Sequence, residues 1–432
     1  MKTAKLKYSA KKGYKQIITS IAFYPTLISL GMLVTSWGTN QLDKASIGGS
    51  IMRVVPFLQI DNADTARSLL SSLLTGLITL VTFTFTMVMV VLTQVTSNFS
   101  PRLLPDLLNQ KGSQIVMGSI IGTVCFIIIT LTNVETMQSG PKVPLFSVVL
   151  AMFMSFVSLI SFIYFIHRVS NDVQIGNILN DIYTTVRDNL SRELDSGSYH
   201  EVWEEDEEFR LVKAWDSGYF DTITKDEFKK SAEKKGLKVR LLVNQGTYLL
   251  KGEPFLEINL PLDDEVKEIL EENVLLRHQE IVQENFLYGF KHLTEIAVKG
   301  LSPGVNDPGT AIHAIDYMMD LLCRLQQLKG QKVIKQKDGT ACIIYAPVPF
   351  ERTFYLCTAS IRAYSTQDVA VQARLIDLIS KVSARDEQDL HKSLLEKELK
   401  SIEEASIKDM KAQEDIDFIK VLLRKARLEH MS

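Results

Sequence analysis

From Ser68 to Pro101 the chain runs for thirty-four residues without a charged side chain, between Arg67 and Arg102. At ~1.5 Å per residue a helix of that length is roughly 50 Å long, against a hydrocarbon core of ~30 Å, so the pattern predicts a helix that crosses a membrane and continues past it. On a helical wheel at ~100° per residue, Ser68, Ser72, Thr75, Thr79, Thr82, Thr86, Thr93 and Ser97 fall within an arc of about 80°. Leu70, Leu74, Leu77, Val81, Phe85, Val88, Leu92, Val95 and Phe99 lie opposite. One side suits lipid and the other something polar.

A line of small hydroxyl residues in a membrane helix has two readings. It lets a neighbouring helix approach closely, with the hydroxyls bonded back to their own carbonyls. Alternatively it lines a water-filled path, where hydroxyls replace part of an ion's hydration shell. Between Thr86 and Thr93 the arc is filled by Met89 and Val90, with Phe83 at its margin; a narrow apolar collar of this kind would gate a pore by dewetting.

Three further apolar runs, at about 17–37, 113–133 and 143–166, complete four expected spans with the long one at 68–97. Pro25 is expected to kink the first, and residues 38–66 to form a polar connection. In the third, Gly118 and Gly122 make a small-x-x-x-small contact face; in the fourth, Ser147, Ala151, Ser155 and Ser158 do the same. Six lysines between Lys2 and Lys15 precede the first span, and no small-residue cleavage site stands after Trp37, so that helix is expected to remain in the mature chain. With Arg102 and Lys111 after the second span, the basic residues place both termini in the cytoplasm.

Beyond Arg168 the pattern turns soluble. Residues 169–211 read as a helical connector with an acidic patch from Glu201 to Glu208, and 212–260 as a small β-rich subdomain of short strands between glycine turns. Residues 261–432 read as mainly helical with a hairpin near 332–346, ending in a charged, heptad-like stretch that favours self-association. The expected fold is therefore an α-helical membrane protein with a cytoplasmic α+β domain. The loop from Leu301 to Ala311 stands out. Asp307 before Pro308 suits a helix N-cap and first turn, and Gly304 and Asn306 suit tight turns with positive φ. Ser302, Gly304, Asn306 and Asp307 also form a candidate coupling or ligand loop.

Composition narrows the function. With 46% hydrophobic residues and a mean hydropathy of +0.07, the chain is too apolar for an ordinary soluble enzyme. A net charge of −3 offers no basic surface for nucleic acid. The four cysteines, at 125, 323, 342 and 357, lack metal or redox spacing and read as free buried thiols. His292-x-x-Glu295 and His313-x-x-Asp316 could in principle bind a metal, but i,i+3 polar pairing is the simpler reading. No nucleophile elbow, phosphate-binding glycine loop or zinc motif occurs, so neither catalysis nor a cofactor is expected.

Arg67-Ser68-Leu69-Leu70-Ser71 entering the long helix, Ser97 to Leu104 leaving it, Gly246-x5-Gly252-x-Pro254 and the Leu301–Ala311 loop together resemble a bacterial family of predicted membrane proteins, domain of unknown function 2254. The resemblance covers nearly the whole chain. It implies a multi-span inner-membrane protein with a cytoplasmic domain, and carries over no activity or site residues.

Two functions follow as expectations. The first is an oligomeric channel or conduit for inorganic ions, several copies placing the Ser/Thr face of the second span around an axis and the cytoplasmic domain gating it. Asp61 and Asp64 at its outer mouth give a weak preference for cations, offset by Arg67. The second is a membrane-anchored sensor or scaffold without a pore, in which the hydroxyl face is a dry subunit contact.

Overall fold

The computed structural model describes residues 22–44, 60, 62–98, 111–136, 143–172, 174–200, 207–277, 285–336, 339–386 and 388–429. The chain forms two compact units that meet in sequence near Gln174.

The first unit is helical: α1 (Phe23–Lys44), α2 (Ala63–Asn98), α3 (Lys111–Thr136) and α4 (Leu145–Asp172). Among the described residues, three helices are long and apolar enough to cross a membrane: Ala63–Val91, Gly112–Val134 and Leu145–Val169. Helix α1 is not among them, and the start of its expected span at 17 lies outside the described residues. Its described part runs on to Lys44 rather than ending near Trp37, so the expected polar connection is partly helix, and Pro25 sits in its first described turn.

Helix α2 opens earlier than its charge-free stretch. The Asn62 side chain accepts from the backbone N–H of Asp64 at 2.8 Å and the Asn62 carbonyl accepts from Ala66 at 3.1 Å, which starts the helix at Ala63. Its 36 residues extend roughly 54 Å at the usual rise.

Packing follows the small residues. Helix α1 lies on α3, where a Cβ added at Gly118 would meet Pro25 Cα and Ile28 Cδ1, each at 2.9 Å, and one at Gly122 would meet Met32 Cγ at 2.8 Å. Helix α3 lies on α4, where the Thr123 and Ser158 hydroxyls share a hydrogen bond of 3.1 Å and Ser147, Ala151 and Ser155 are buried. Part of the apolar side of α2 departs from its expected lipid-facing role, although Phe85 on that side is 55% exposed. Leu70 is 0% and Leu77 3% exposed, in a core with Ile120, Phe126 and Val148 from α3 and α4. The reason is physical: an aliphatic side chain gains as much from a neighbouring helix as from lipid, so the pattern alone does not distinguish them.

The second unit begins with α5 (Ile175–Asp195) and contains strands β1 (Tyr199–His200), β2 (Arg210–Lys213), β3 (Gly218–Ile223), β4 (Val239–Leu241), β5 (Tyr248–Leu249), β6 (Pro254–Ile258), β7 (Val274–Arg277), β8 (Gln331–Lys335) and β9 (Ala341–Ile344). Helices α6 (Lys225–Lys235), α7 (Asp264–Asn273), α8 (Phe286–Gly300), α9 (Pro308–Leu325), α10 (Phe350–Tyr364), α11 (Val369–Ser383), α12 (Lys392–Asp409) and α13 (Gln413–Glu429) complete it.

One sheet has the order β1-β8-β9-β4-β6-β2 and a second the order β5-β3-β7. The sheets thus take strands from well outside 212–260. Strand β9 is buried at all four positions and pairs in parallel with β4, Val239 opposite Ile343, which places it inside the sheet. Phe220, Phe228, Phe255 and Val239, all 0% exposed, fill the core against these strands. In the helical part, α5 packs Ile178, Ile182 and Val186 against α8 and α9, and the Tyr183 ring stacks on Tyr317 of α9 at 4.4 Å. Cys323, Cys342 and Cys357 are buried free thiols, and burial pushes the Cys357 thiol up to about 11.

Candidate functional site

On α2 the sequence repeats a hydroxyl every three or four residues, and six of them, from Ser72 to Thr93, adopt the same local geometry. Ser72 donates to the Ser68 carbonyl at 2.9 Å, Thr75 to Ser71 at 2.9 Å, Thr79 to Thr75 at 2.9 Å and Thr82 to Ile78 at 3.0 Å. Thr86 donates to Thr82 at 2.9 Å, and Thr93 to Met89 at 2.9 Å. The hydroxyl proton is thereby used within the helix. The oxygen keeps its lone pairs for whatever lies outside, so the face presents acceptors rather than donors.

Ser68, Ser72, Thr75, Thr79, Thr82, Thr86 and Thr93 are all exposed, turned away from α3 and α4, whereas Ala66, Leu70, Leu77 and Thr84 on the other side are buried. Ser97 lies in the last turn of α2, with its side chain outside the described residues. Thr84, 1% exposed and bonded to the Leu80 carbonyl at 2.7 Å, is the hydroxyl that faces inward. The expected collar residues Phe83, Met89 and Val90 share the exposed side. Phe83 also meets Phe162 of α4 edge-on at 5.8 Å, which leans it toward the flank of the face.

At the start of α2, Arg67 and Asp64 form an exposed ion pair at 3.6 Å, so the arginine offsets that carboxylate within one turn. Asp61, the other expected mouth residue, lies outside the described residues.

The structure places the Leu301–Ala311 loop at the start of α9. Asp307 caps the helix, accepting from the Thr310 N–H at 3.1 Å and the Thr310 hydroxyl at 2.6 Å, while its own N–H donates to the Gly300 carbonyl at 2.8 Å. Asn306 takes the left-handed conformation at φ 50°, and the Ser302 hydroxyl donates to the Lys299 carbonyl at 2.6 Å. Gly304 does not adopt the positive φ expected of it; Asn306 makes the turn instead. The loop's side chains thus serve its own backbone. The two His-carboxylate pairs do not converge. Asp316 is ion-paired with Arg374, His313 lies against the Tyr317 ring at 4.6 Å, and His292 is buried in α8. Among the described residues no three metal-binding side chains come together.

One residue goes beyond the sequence reading. Asp43, 5% exposed near the end of α1, accepts from the N–H groups of Phe146 at 3.0 Å and Ser147 at 3.1 Å and from the Ser147 hydroxyl at 2.6 Å. It caps the first turn of α4 from another helix, a place where backbone donors and the helix dipole favour a carboxylate. The spacing Ser36, Thr39, Asp43, one polar side chain per turn, is the signal that could have found it.

Three curated mycobacterial relatives match over 332 residues at 23% identity: the uncharacterized proteins Mb1321c of Mycobacterium bovis, and MT1328 and Rv1290c of Mycobacterium tuberculosis. The match covers 74% of this chain and 64% of each relative, so the chain spans less than two thirds of their length. No solved structure matches it. The sequence profile of the predicted membrane proteins called domain of unknown function 2254 matches residues 18–381, and the chain belongs to that family.

Proposed function

We propose that the protein is an oligomeric conduit in the bacterial inner membrane, with a path for inorganic ions lined by the Ser/Thr face of α2. The observation that carries this reading is the sidedness of that helix. Leu70 and Leu77 on its apolar face are buried against the chain's own helices, while seven hydroxyl residues in line on the other face are exposed among the described residues. A hydroxyl line facing lipid gains nothing from its oxygens, and one helix cannot enclose water, so several copies set their α2 faces around an axis. Oxygens with their protons already committed suit cations or water protons, in keeping with a weak cation preference. The apolar side chains of Phe83, Met89 and Val90 supply the collar.

In this reading α1 is the first of four spans, both termini are cytoplasmic, and the second unit is the gating domain. Helix α9 bears the Asn306–Asp307 turn at one end and holds α5, the first helix of that unit, by the Tyr183–Tyr317 stack. Tyr183 also donates to Asp320 of α9 at 3.0 Å, so movement of α9 is passed to α5.

The back-bonding that orients the oxygens also favours a second reading, a membrane-anchored scaffold in which the same face is a dry contact between subunits. Planar-bilayer recording of the purified full-length protein separates them. The conduit predicts conductance that falls at least tenfold when Thr79, Thr82 or Thr86 becomes Trp. It also predicts that cysteines at 75, 79, 82 and 86 react with water-soluble thiol reagents. Absence of conductance, or unreactive cysteines at all four positions, would overturn it in favour of the scaffold.

A further inference from the structure

The last helix, α13, has two apolar faces. Ile419, Leu423 and Ala426, each 2% exposed or less, lie on the side that packs against α11 and α12. Phe418, Val421 and Leu428 lie on the other side, 51, 61 and 67% exposed. Glu414 and Lys425 are exposed on the same line, giving the positions 414, 418, 421, 425 and 428. Alternating steps of four and three residues are the seam of a two-helix coiled coil.

The charges are divided. Glu414, Asp415 and Asp417 precede Val421, with Lys420 beside it, and Arg424, Lys425 and Arg427 follow it, ahead of the terminal Glu429. That division suits the helix's own dipole. The dipole does not account for a line of exposed Phe, Val and Leu running between the charges.

We propose that α13 is the docking surface for a second copy of this chain, the two helices lying antiparallel about a two-fold axis at Val421. Residues equally distant from Val421 then face one another. Asp417 of one copy meets Lys425 of the other, Phe418 lies under Arg424, Glu414 is level with Leu428, and Val421 meets itself. Two-fold symmetry makes each of these contacts twice, and the ring–guanidinium contact adds a cation–π attraction. A parallel pairing sets Asp417 beside Asp417 and Lys425 beside Lys425, so the charge order selects the antiparallel one. A seam of four turns is short, but copies held in one membrane meet at high effective concentration. The seam lies beyond the residues 18–381 that match the family. The inference goes beyond the conduit reading and does not rest on it.

The test is disulfide cross-linking of the full-length protein in cell membranes under mild oxidation, with single substitutions Val421→Cys, Glu414→Cys and Leu428→Cys and the unaltered chain as baseline. The expected result is a dimer band for Val421→Cys at least tenfold above that baseline. Glu414→Cys and Leu428→Cys alone should stay at baseline and cross-link to each other when co-expressed. Within Val421→Cys, adding Asp417→Lys should reduce the band at least fivefold, and adding Lys425→Asp as well should restore it. Equal self-cross-linking at all three positions means a parallel contact and overturns the proposal. No product at Val421 also overturns it, leaving the membrane surface or another segment as the cover of the seam. Failure of the double charge reversal to restore the band removes the antiparallel register. Thiol accessibility at 79 and 82, read in the same membranes, reports separately on the conduit: unreactive residues there with Val421 cross-linking intact would retire the conduit and keep the pairing.

Discussion

Two sets of hydroxyls in the first unit share one chemistry and have opposite surroundings. Between α3 and α4, Thr123 and Ser158 bond to each other at 3.1 Å, and Ser155 donates to the Ala151 carbonyl at 2.7 Å, all out of contact with solvent. Along α2 the same i−4 back-bond recurs from Ser72 to Thr93, on a face left exposed among the described residues. The first set shows what Ser and Thr do when they serve packing: they sit beside glycine or alanine, a neighbouring helix comes close, and a hydroxyl finds a partner across the gap. The second set has the residue types without a neighbour among the described residues. The back-bond is therefore a property of Ser and Thr on any apolar helix, and only the surroundings separate a contact from a lining.

The largest effect expected from this contrast is at glycine. Gly122→Leu should destabilise the first unit by about 1–3 kcal/mol, since its Cβ alone comes within 2.8 Å of Met32. Gly76→Leu, beside the exposed hydroxyls with nothing within 4 Å, should leave thermal unfolding of the single chain in detergent unchanged. The same Gly76 variant sharpens the comparison in assembled protein. Loss of the oligomer on native electrophoresis would assign the α2 face to a dry contact.

A smaller loss is expected at the carboxylate that joins α1 to α4. Asp43→Ala should cost about 1–2 kcal/mol, the range for a removed N-cap, while Asp64→Ala, in an exposed pair with Arg67, should cost under about 1 kcal/mol. Thermal unfolding in detergent measures both, and equal losses would break the distinction between a buried cap and a surface pair. The smallest effect separates the hydroxyls themselves. Thr123→Val should lose about 0.6 kcal/mol, the mean for an interhelical hydrogen bond in a membrane, and Thr82→Val close to none.

These contrasts also show what the chain's pattern makes legible. Helix α2 and its hydroxyl line stand out because a period of 3.6 residues is a local property, and Gly118 and Gly122 announce a close contact by their spacing alone. The role of Leu70 and Leu77 does not, because lipid and a neighbouring helix ask for the same side chain. Asp43 looks like the start of a polar connection, since its partners are 103 and 104 residues away. Strand β9 is four apolar residues with no signature of its parallel neighbour β4. At the Asp307 cap the local chemistry names the right residue, while at Gly304 and Asn306 it offers two candidates for one turn, and the chain uses the asparagine.

The link from Asp43 to the first turn of α4 has a mechanical consequence. Its three bonds are between 2.6 and 3.1 Å long, while one turn of helix is ~5.4 Å, so a slide of half a turn breaks all of them and brings no equivalent donors into reach. Helix α1 is thus seated against α4 at a single height. A pull along its axis meets a latch that is either engaged or released, and the first unit answers such a force in a step rather than by gradual creep.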